Sequence, residues 1–356
     1  VEVLPEHINL FLSTCKNAQW AGVFYSFPAE NHFRFLLQDL KMAATEGEEK
    51  FVFYPFSRNQ AASVVLTPQF SDAQALNYLG KEISPGIYWT LPYPPAAHST
   101  EKEIYTQQFN KYQEAMQLGV CTKAILSTVI KKEVPTDFNI GAYIFKLRQM
   151  YPQAFIYVFS SPLTGTWLGA TPETLVKWKE GEVATMSLAG TRKLNEDGFV
   201  FGNKEKEEQL IVTKYIQQVF EERLDKIRLN EPAEFNYGEM VHLLTRIAAP
   251  TPASFGANDL LDLAAALHPT PAVGGYPKQP GMDLILSTEQ HARFYYSGYL
   301  GPVTQHAAEL VVNLRCMCLT KNHLYVFAGG GITADSKPED EWNETRLKAG
   351  ALLKFL

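Results

Sequence analysis

The stretch AFIYVFSSPLTGTWLGATPETLVKWKEGEVATMSLA, residues 154–189, reads as four strands in a row: Ala154 to Ser160, Thr166 to Ala170, Thr174 to Lys179 and Val183 to Ala189. The turn signals between them are short, and the strand blocks of the chain do not alternate regularly with helices. A parallel α/β fold, in which strands alternate with helices, is thereby disfavoured. An α+β protein with large, mainly antiparallel sheets fits.

Toward the N-terminus the pattern predicts a helix near His7 to Ala18 and strands at Gly22 to Phe27, Phe33 to Leu37 and Phe51 to Phe56. A Pro-rich connector at Leu91 to Ala97 precedes a polar helix at Thr100 to Leu118 and a strand at Thr122 to Glu133. Toward the C-terminus come a helix at Asn203 to Leu224, strands at Glu239 to Ile247, Arg293 to Leu300, Ala308 to Leu319 and Leu324 to Gly329, and a closing helix at Pro338 to Phe355. No repeat or linker divides the later part of the chain. Residues 1–356 are read as one unit, with the strands and helix of 1–100 packed on 101–356.

Lys plus Arg is 32 and Asp plus Glu is 38, so the net charge of −6 supplies no basic field for nucleic acid or an anionic membrane. No apolar run approaches the roughly 20 residues that span a bilayer. Val1 to Leu12 lacks a basic segment followed by a signal core, and a cytoplasmic protein is expected. Cys15, Cys121, Cys316 and Cys318 are too few to brace 356 residues, so four reduced thiols are expected. The eight histidines show no zinc-like spacing.

Two Glu-x-x-Glu spacings, Glu205/Glu208 and Glu341/Glu344, open two of the expected helices. Residues three apart share a helix face. The first face continues through Val212, Tyr215 and Val219, the second through Lys348, Leu352 and Phe355, so the carboxylates point the way the apolar residues point. Inward carboxylates demand pairing or a hard cation such as Mg2+. The plainer alternative is that acidic residues favour helix N-termini for the dipole alone.

Phe327-Ala-Gly-Gly-Gly-Ile332 reads as a strand running into a loop whose glycines admit a small anion, without the signatures of ATP or NAD loops. Arg315, on an expected alternating strand with Asn313 and Met317, is either a surface charge or a carboxylate clamp. Lys123 opens an otherwise apolar strand, where a lysine can serve as a base.

Together these segments resemble the chorismate-utilising enzymes, the family of isochorismate, salicylate, anthranilate and aminodeoxychorismate synthases. The resemblance is carried, in family order, by Lys123-Ala-Ile-Leu-Ser127, Gly169-Ala-Thr-Pro-Glu-Thr174, Leu188-Ala-Gly-Thr-Arg192, Lys204-Glu-Lys-Glu-Glu-Gln209 and Met240-Val-His-Leu243. Leu267-His-Pro-Thr-Pro-Ala-Val-Gly-Gly275, Tyr296-Ser-Gly298, Asn313-Leu-Arg315 and the run Ala328 to Lys348 complete it. It covers residues 120–356 and implies a layered α/β sandwich of two large antiparallel sheets flanked by helices, with Mg2+-bound chorismate in a cleft.

The resemblance also implies roles. Glu208 and Glu344 match direct metal ligands, and Glu205 and Glu341 match carboxylates that hold the ion through water. Arg315, Lys348 and the Gly329 backbone match groups that receive substrate carboxylates, while Gly190, His242 and Tyr296 match pocket positions. Lys123 matches the general base of the members that activate water, and Glu173 the general acid opposite. Ala272, where salicylate- and anthranilate-forming relatives usually carry Thr, implies water addition without loss of pyruvate. The rival readings are a salicylate synthase and a non-catalytic carboxylate-binding protein. Thr128, where water-using relatives often have Arg, and Gln209, in place of the usual His, depart from the pattern. No amidotransferase signature is present, and a monomer is the expected state.

Overall fold

The computed structural model describes residues 3–30, 32–42, 49–80, 88–193 and 201–356. One nine-stranded sheet runs in the order Gly275–Tyr276, Lys123–Glu133, His323–Ile332, Cys316–Leu319, Gly165–Thr171, Phe155–Ser161, Trp20–Ser26, Arg34–Asp39 and Phe70–Ser71. The second runs Arg228–Leu229, Met240–Pro250, Glu182–Lys193, Thr174–Lys179, Ala307–Val312, Tyr299–Thr304, Glu49–Tyr54 and Val64–Leu66, with Ala233–Tyr237 also paired to Met240–Pro250. Every described pairing is antiparallel. Residues before position 100 supply strands to both sheets, since Trp20–Ser26 pairs with Phe155–Ser161 and Glu49–Tyr54 with Tyr299–Thr304.

The two-residue period of the strands makes the layers. Along Phe155–Ser161, Phe155, Tyr157 and Phe159 meet the second sheet, while Ile156 and Val158 meet the outer helices. Pro5–Ala18, Ile140–Met150 and Pro338–Leu353 cover the first sheet, Asn203–Glu221 and Ala257–Leu267 the second. The intersheet core is aromatic. Fully buried Trp167 stacks on Phe327 with ring centroids 5.7 Å apart, and Phe327 stacks on Tyr296 at 5.2 Å. The four cysteines are free and buried. No described helix is long and apolar enough to cross a membrane.

Two expected strands differ in the structure. Ala308 to Leu319 is two strands in different sheets, Ala307–Val312 and Cys316–Leu319, joined by a crossing at which Arg315 takes φ 46°. Arg293 to Leu300 is strand only from Tyr299, because Phe294 and Ser297 sit at φ 47° and 61°, outside extended geometry. The helices Ile140–Met150, Ala257–Leu267 and Lys278–Thr288 were not expected. The first shows a cap, Asn139 Oδ1 accepting the Ala142 N–H at 2.9 Å, ahead of buried Ile140, Tyr143, Ile144 and Leu147.

Trp167→Ala should cost roughly 3–5 kcal/mol, because a fully buried indole between two sheets leaves a cavity the strands cannot close. Urea unfolding measures it; a loss below about 1 kcal/mol would show that the sheets collapse onto the space.

Candidate active site

Two crossings between the sheets lie side by side. The chain passes from Gly165–Thr171 to Thr174–Lys179 through Pro172 and Glu173, and from Ala307–Val312 to Cys316–Leu319 through Asn313 to Arg315. They are fastened together: Val312 N–H donates to Glu173 O at 2.9 Å, Ala170 N–H to Arg315 O at 3.0 Å, and Thr171 Oγ1 to Val312 O at 2.6 Å. Gly169 permits the approach, since a Cβ there would stand 2.7 Å from Arg315 O. Glu173 and Arg315 are thus delivered to one cleft.

The same cleft is lined by Gly190, Glu208, His242, Ala272, Tyr296, Gly329 and Lys348. Lys123, wholly buried at the start of its strand, reaches Glu208 Oε1 at 3.0 Å. Glu341 and Glu344 approach from the closing helix, their oxygens 3.1 and 3.9 Å from where a Cβ on Gly330 would lie. Glu205 packs its Cβ 3.1 Å from the Cβ position of Gly190, and its Oε2 accepts the Gly202 N–H at 2.8 Å, so it also caps its helix. All thirteen residues singled out from the sequence therefore gather at one end of the sandwich.

The glycine run is not a loop. Residues 329–331 lie inside the strand His323–Ile332, and their missing side chains make room for the protein's own groups. A Cβ at Gly329 would sit 2.9 Å from Tyr296 Oη, and one at Gly331 would sit 2.2 Å from Glu208 Oε1. Gly190, at φ 72°, forms a bulge between Ala189 and Thr191 that turns its carbonyl to His242 Nδ1, 3.0 Å away. A carbonyl only accepts, so Nδ1 carries the proton. His242 Nε2 is then a buried acceptor without a hydrogen-bond partner among the described residues.

The charges divide by environment. Burial pushes Glu173 up to about 8 against the opposing pull of Lys123, Arg315 and Lys348, so it holds its proton at neutral pH. Burial also acts to raise Glu208, whose side chain is 14% exposed, yet the adjoining Lys123 ammonium outweighs it and keeps Glu208 below the ordinary carboxylate range. Burial, then Arg315 and Lys348, push His242 down to about 3, leaving it neutral. Burial and the repulsion of Glu344 lift Glu341 to about 7. Arg315, 7% exposed, has no carboxylate partner among the described residues; Nη2 meets Met240 Sδ at 3.7 Å and Nε is unbonded.

Among the described residues no three His, Cys, Asp or Glu side chains close as ligands round one point. Lysines pair with the carboxylates instead: Lys123 with Glu208, Lys204 with Glu341, and Lys348 with Glu344 at 2.5 Å. The donor set nonetheless fits a hard cation. Its groups are all carboxylates, and the burial and Glu344 repulsion that raise Glu341 are costs that a divalent charge offsets.

The departures are absorbed locally. Thr128 Oγ1 accepts from Arg346 Nη2 at 2.6 Å, and Gln209 Nε2 donates to Thr245 Oγ1 at 2.7 Å. Lys204 and Thr191 lie inside quoted motifs but carry no signal of their own. A buried group behind Lys123 has none at all: Arg293 pairs with Glu289 at 2.6 Å and donates to Ile125 O and Val273 O, bracing two cleft walls.

The sequence pattern described as chorismate binding enzyme matches residues 58–356. Isochorismate synthase EntC of Escherichia coli (strain K12) is 31% identical over 245 residues, covering 65% of this chain and 61% of that protein's length. Isochorismate synthase DhbC of Bacillus subtilis (strain 168) is 28% identical over 322 residues, 85% of this chain and 79% of its own. The solved MenF, the menaquinone-specific isochorismate synthase from Escherichia coli, superposes with a TM-score of 0.79 over 97% of this chain and 91% of that one at 19% identity, a likeness of fold.

The raised Glu173 links stability to pH. From an ordinary 4.5 to about 8 the folded protein keeps a proton that the unfolded chain has lost, so stability falls as pH rises across that window. Glu173→Gln, neutral throughout, should gain on wild type between pH 5 and 8 by at most about 1.4 kcal/mol per unit of pH. Urea unfolding of both proteins at the two pH values reads the difference; a constant difference would show that Glu173 ionises normally.

Proposed function

The chain belongs to the chorismate binding enzyme family, and on that premise we propose that it is an isochorismate synthase, converting chorismate reversibly to isochorismate with Mg2+. One observation carries the reading. A buried, protonated Glu173 and a guanidinium with no carboxylate partner among the described residues share a cleft with Glu208, behind which Lys123 lies buried 3.0 Å away, so an acid, a candidate base and a receptor for an anion are assembled together.

In this reading Arg315 and Lys348 receive the substrate carboxylates, with Lys348 steadied by its 2.9 Å bond to Gly329 O. Lys123, an ammonium beside Glu208 at rest, first releases its proton; in its amine form it takes a proton from the water that attacks C2, and Glu173 gives its proton to the departing C4 hydroxyl, which leaves as water while the double bonds shift. Tyr296 closes one wall, and the neutral His242 offers Nε2 as an acceptor to a hydroxyl on the ring. Glu208 and Glu344 would hold Mg2+ directly, with Glu341 and Glu205 behind them. The ion would supply positive charge to a substrate carboxylate.

Ala272 decides the product. It lines the cleft with a methyl group where a Thr hydroxyl could hold the enolpyruvyl half for elimination. The reaction then stops at isochorismate. The related EntC and DhbC carry the same activity in their names.

Incubation with chorismate and Mg2+ followed by chromatography should give two interconverting species from either starting side, and little salicylate or pyruvate. Lys123→Gln and Glu173→Gln should each lower turnover roughly 100-fold or more, and excess chelator should abolish it. Steady salicylate formation above background would assign a salicylate synthase, and saturable binding without turnover a carboxylate-binding protein.

A further inference from the structure

Three lysines face the carboxylate cluster, and two of them have other work. Lys123 lies wholly inside beside Glu208, and Lys348 is bonded to Gly329 O. Lys204 differs. It stands in the first turn of helix Asn203–Glu221, one turn before Glu208, and crosses to Glu341 on the closing helix. Its side chain is 29% exposed while that of Glu341 is 1% exposed, so the ammonium plugs the cluster from the solvent side. Glu341 Oε1 is fully engaged, taking Lys204 and the Ser336 hydroxyl at 2.7 Å, and Oε2 lies over Gly330. Glu208 and Glu344 also act on the same ammonium.

We propose that the Lys204 ammonium is a tethered cation lodged in the carboxylate cluster, which a divalent cation must displace in order to bind. This rests on the reading of Glu208, Glu341 and Glu344 as cation ligands. A compact ammonium on a flexible four-carbon stem can leave toward solvent, whereas Lys123 cannot. A divalent ion approaching Glu341 meets the Lys204 ammonium already on that carboxylate, and the two positive charges repel each other. The divalent ion therefore meets a competitor that is always present, and its apparent affinity is reduced by the fraction of time the cluster is free of Lys204. The device neutralises the cluster when no metal is bound and sets a threshold of metal concentration for loading it.

Calorimetric titration with MgCl2 of wild type, Lys204→Gln and Lys204→Arg tests this without reference to turnover. Removing the competitor should lower the dissociation constant about tenfold in Lys204→Gln, equal to about 1.4 kcal/mol. Lys204→Arg, which keeps the charge, should bind no more tightly than wild type. In wild type, acylation of Lys204 followed by peptide mass spectrometry should speed up several-fold in saturating Mg2+, a reading that survives even if a variant does not fold. Equal or weaker binding by Lys204→Gln, or acylation unchanged by Mg2+, would overturn the proposal and leave Lys204 as a support for Glu341. No binding by any of the three proteins would overturn both this proposal and the reading of the cluster on which it rests.

Discussion

Glu208, Glu341 and Glu344 are brought against one short piece of strand, and their mutual repulsion is the constraint around which this end of the molecule is built. Carboxylates out of water and close together are costly unless opposite charge is at hand. Lysines answer them from the strand Lys123–Glu133, from the helix Asn203–Glu221 and from the closing helix. Offsetting the charge explains why two helices aim acidic first turns inward, and why a lysine can sit wholly buried at 123. It also explains the glycines. A Cβ at 331 would collide with Glu208, and one at 330 would stand 3.1 Å from Glu341 Oε2, both presented by the neighbouring helices.

The sandwich supplies rigidity to these groups because the chain changes sheets beside them. Glu173 and Arg315 lie on the two crossings, cross-bonded through Val312, Thr171 and Ala170, so neither moves without the other. The stack from Trp167 through Phe327 to Tyr296 runs from the intersheet core into the cleft wall. Arg293, buried in the layer behind, ties Ile125 to Val273. Groups on both sheets thereby keep their separation, the condition for an acid and a base to act on one bound molecule.

The antiparallel sheets were legible because the period of two and the short turns of residues 154–189 are local. The carboxylate pairs were legible through helical spacing, and their convergence through the family likeness. What stayed hidden is non-local or depends on backbone twist. Arg315 reads as a strand residue, since alternation continues through it, yet its positive φ turns the chain into the other sheet. Residues 293–298 look extended because they are aromatic, but Phe294 and Ser297 hold turns fixed by contacts far along the chain, such as Arg293 N–H to Gln60 Oε1 at 3.1 Å. The glycine run suggests an anion loop, because sequence shows the absence of side chains without showing which groups fill the space. Lys348 follows Glu344 at helical spacing, but Lys123 and Lys204 reach Glu208 and Glu341 from other elements, and no spacing announces those two pairs.

Two glutamates in this cleft, both largely withdrawn from water, end in opposite states, which shows how a few ångströms assign the chemistry. Desolvation acts on Glu173 and Glu208 alike. Glu208 has an ammonium 3.0 Å away and stays ionised. Glu173 feels the same lysine only as a more distant charge, together with Arg315 and Lys348, and these do not outweigh burial. One carboxyl is left as a proton donor and the other as a fixed negative charge at neutral pH. Arg315, with no carboxylate of its own among the described residues, is left with its positive charge unanswered. The cleft therefore contains a proton to give, an acceptor at His242 Nε2 and an unpaired cation before any ligand arrives, and a small, hydroxylated anion is the kind of molecule that completes all three.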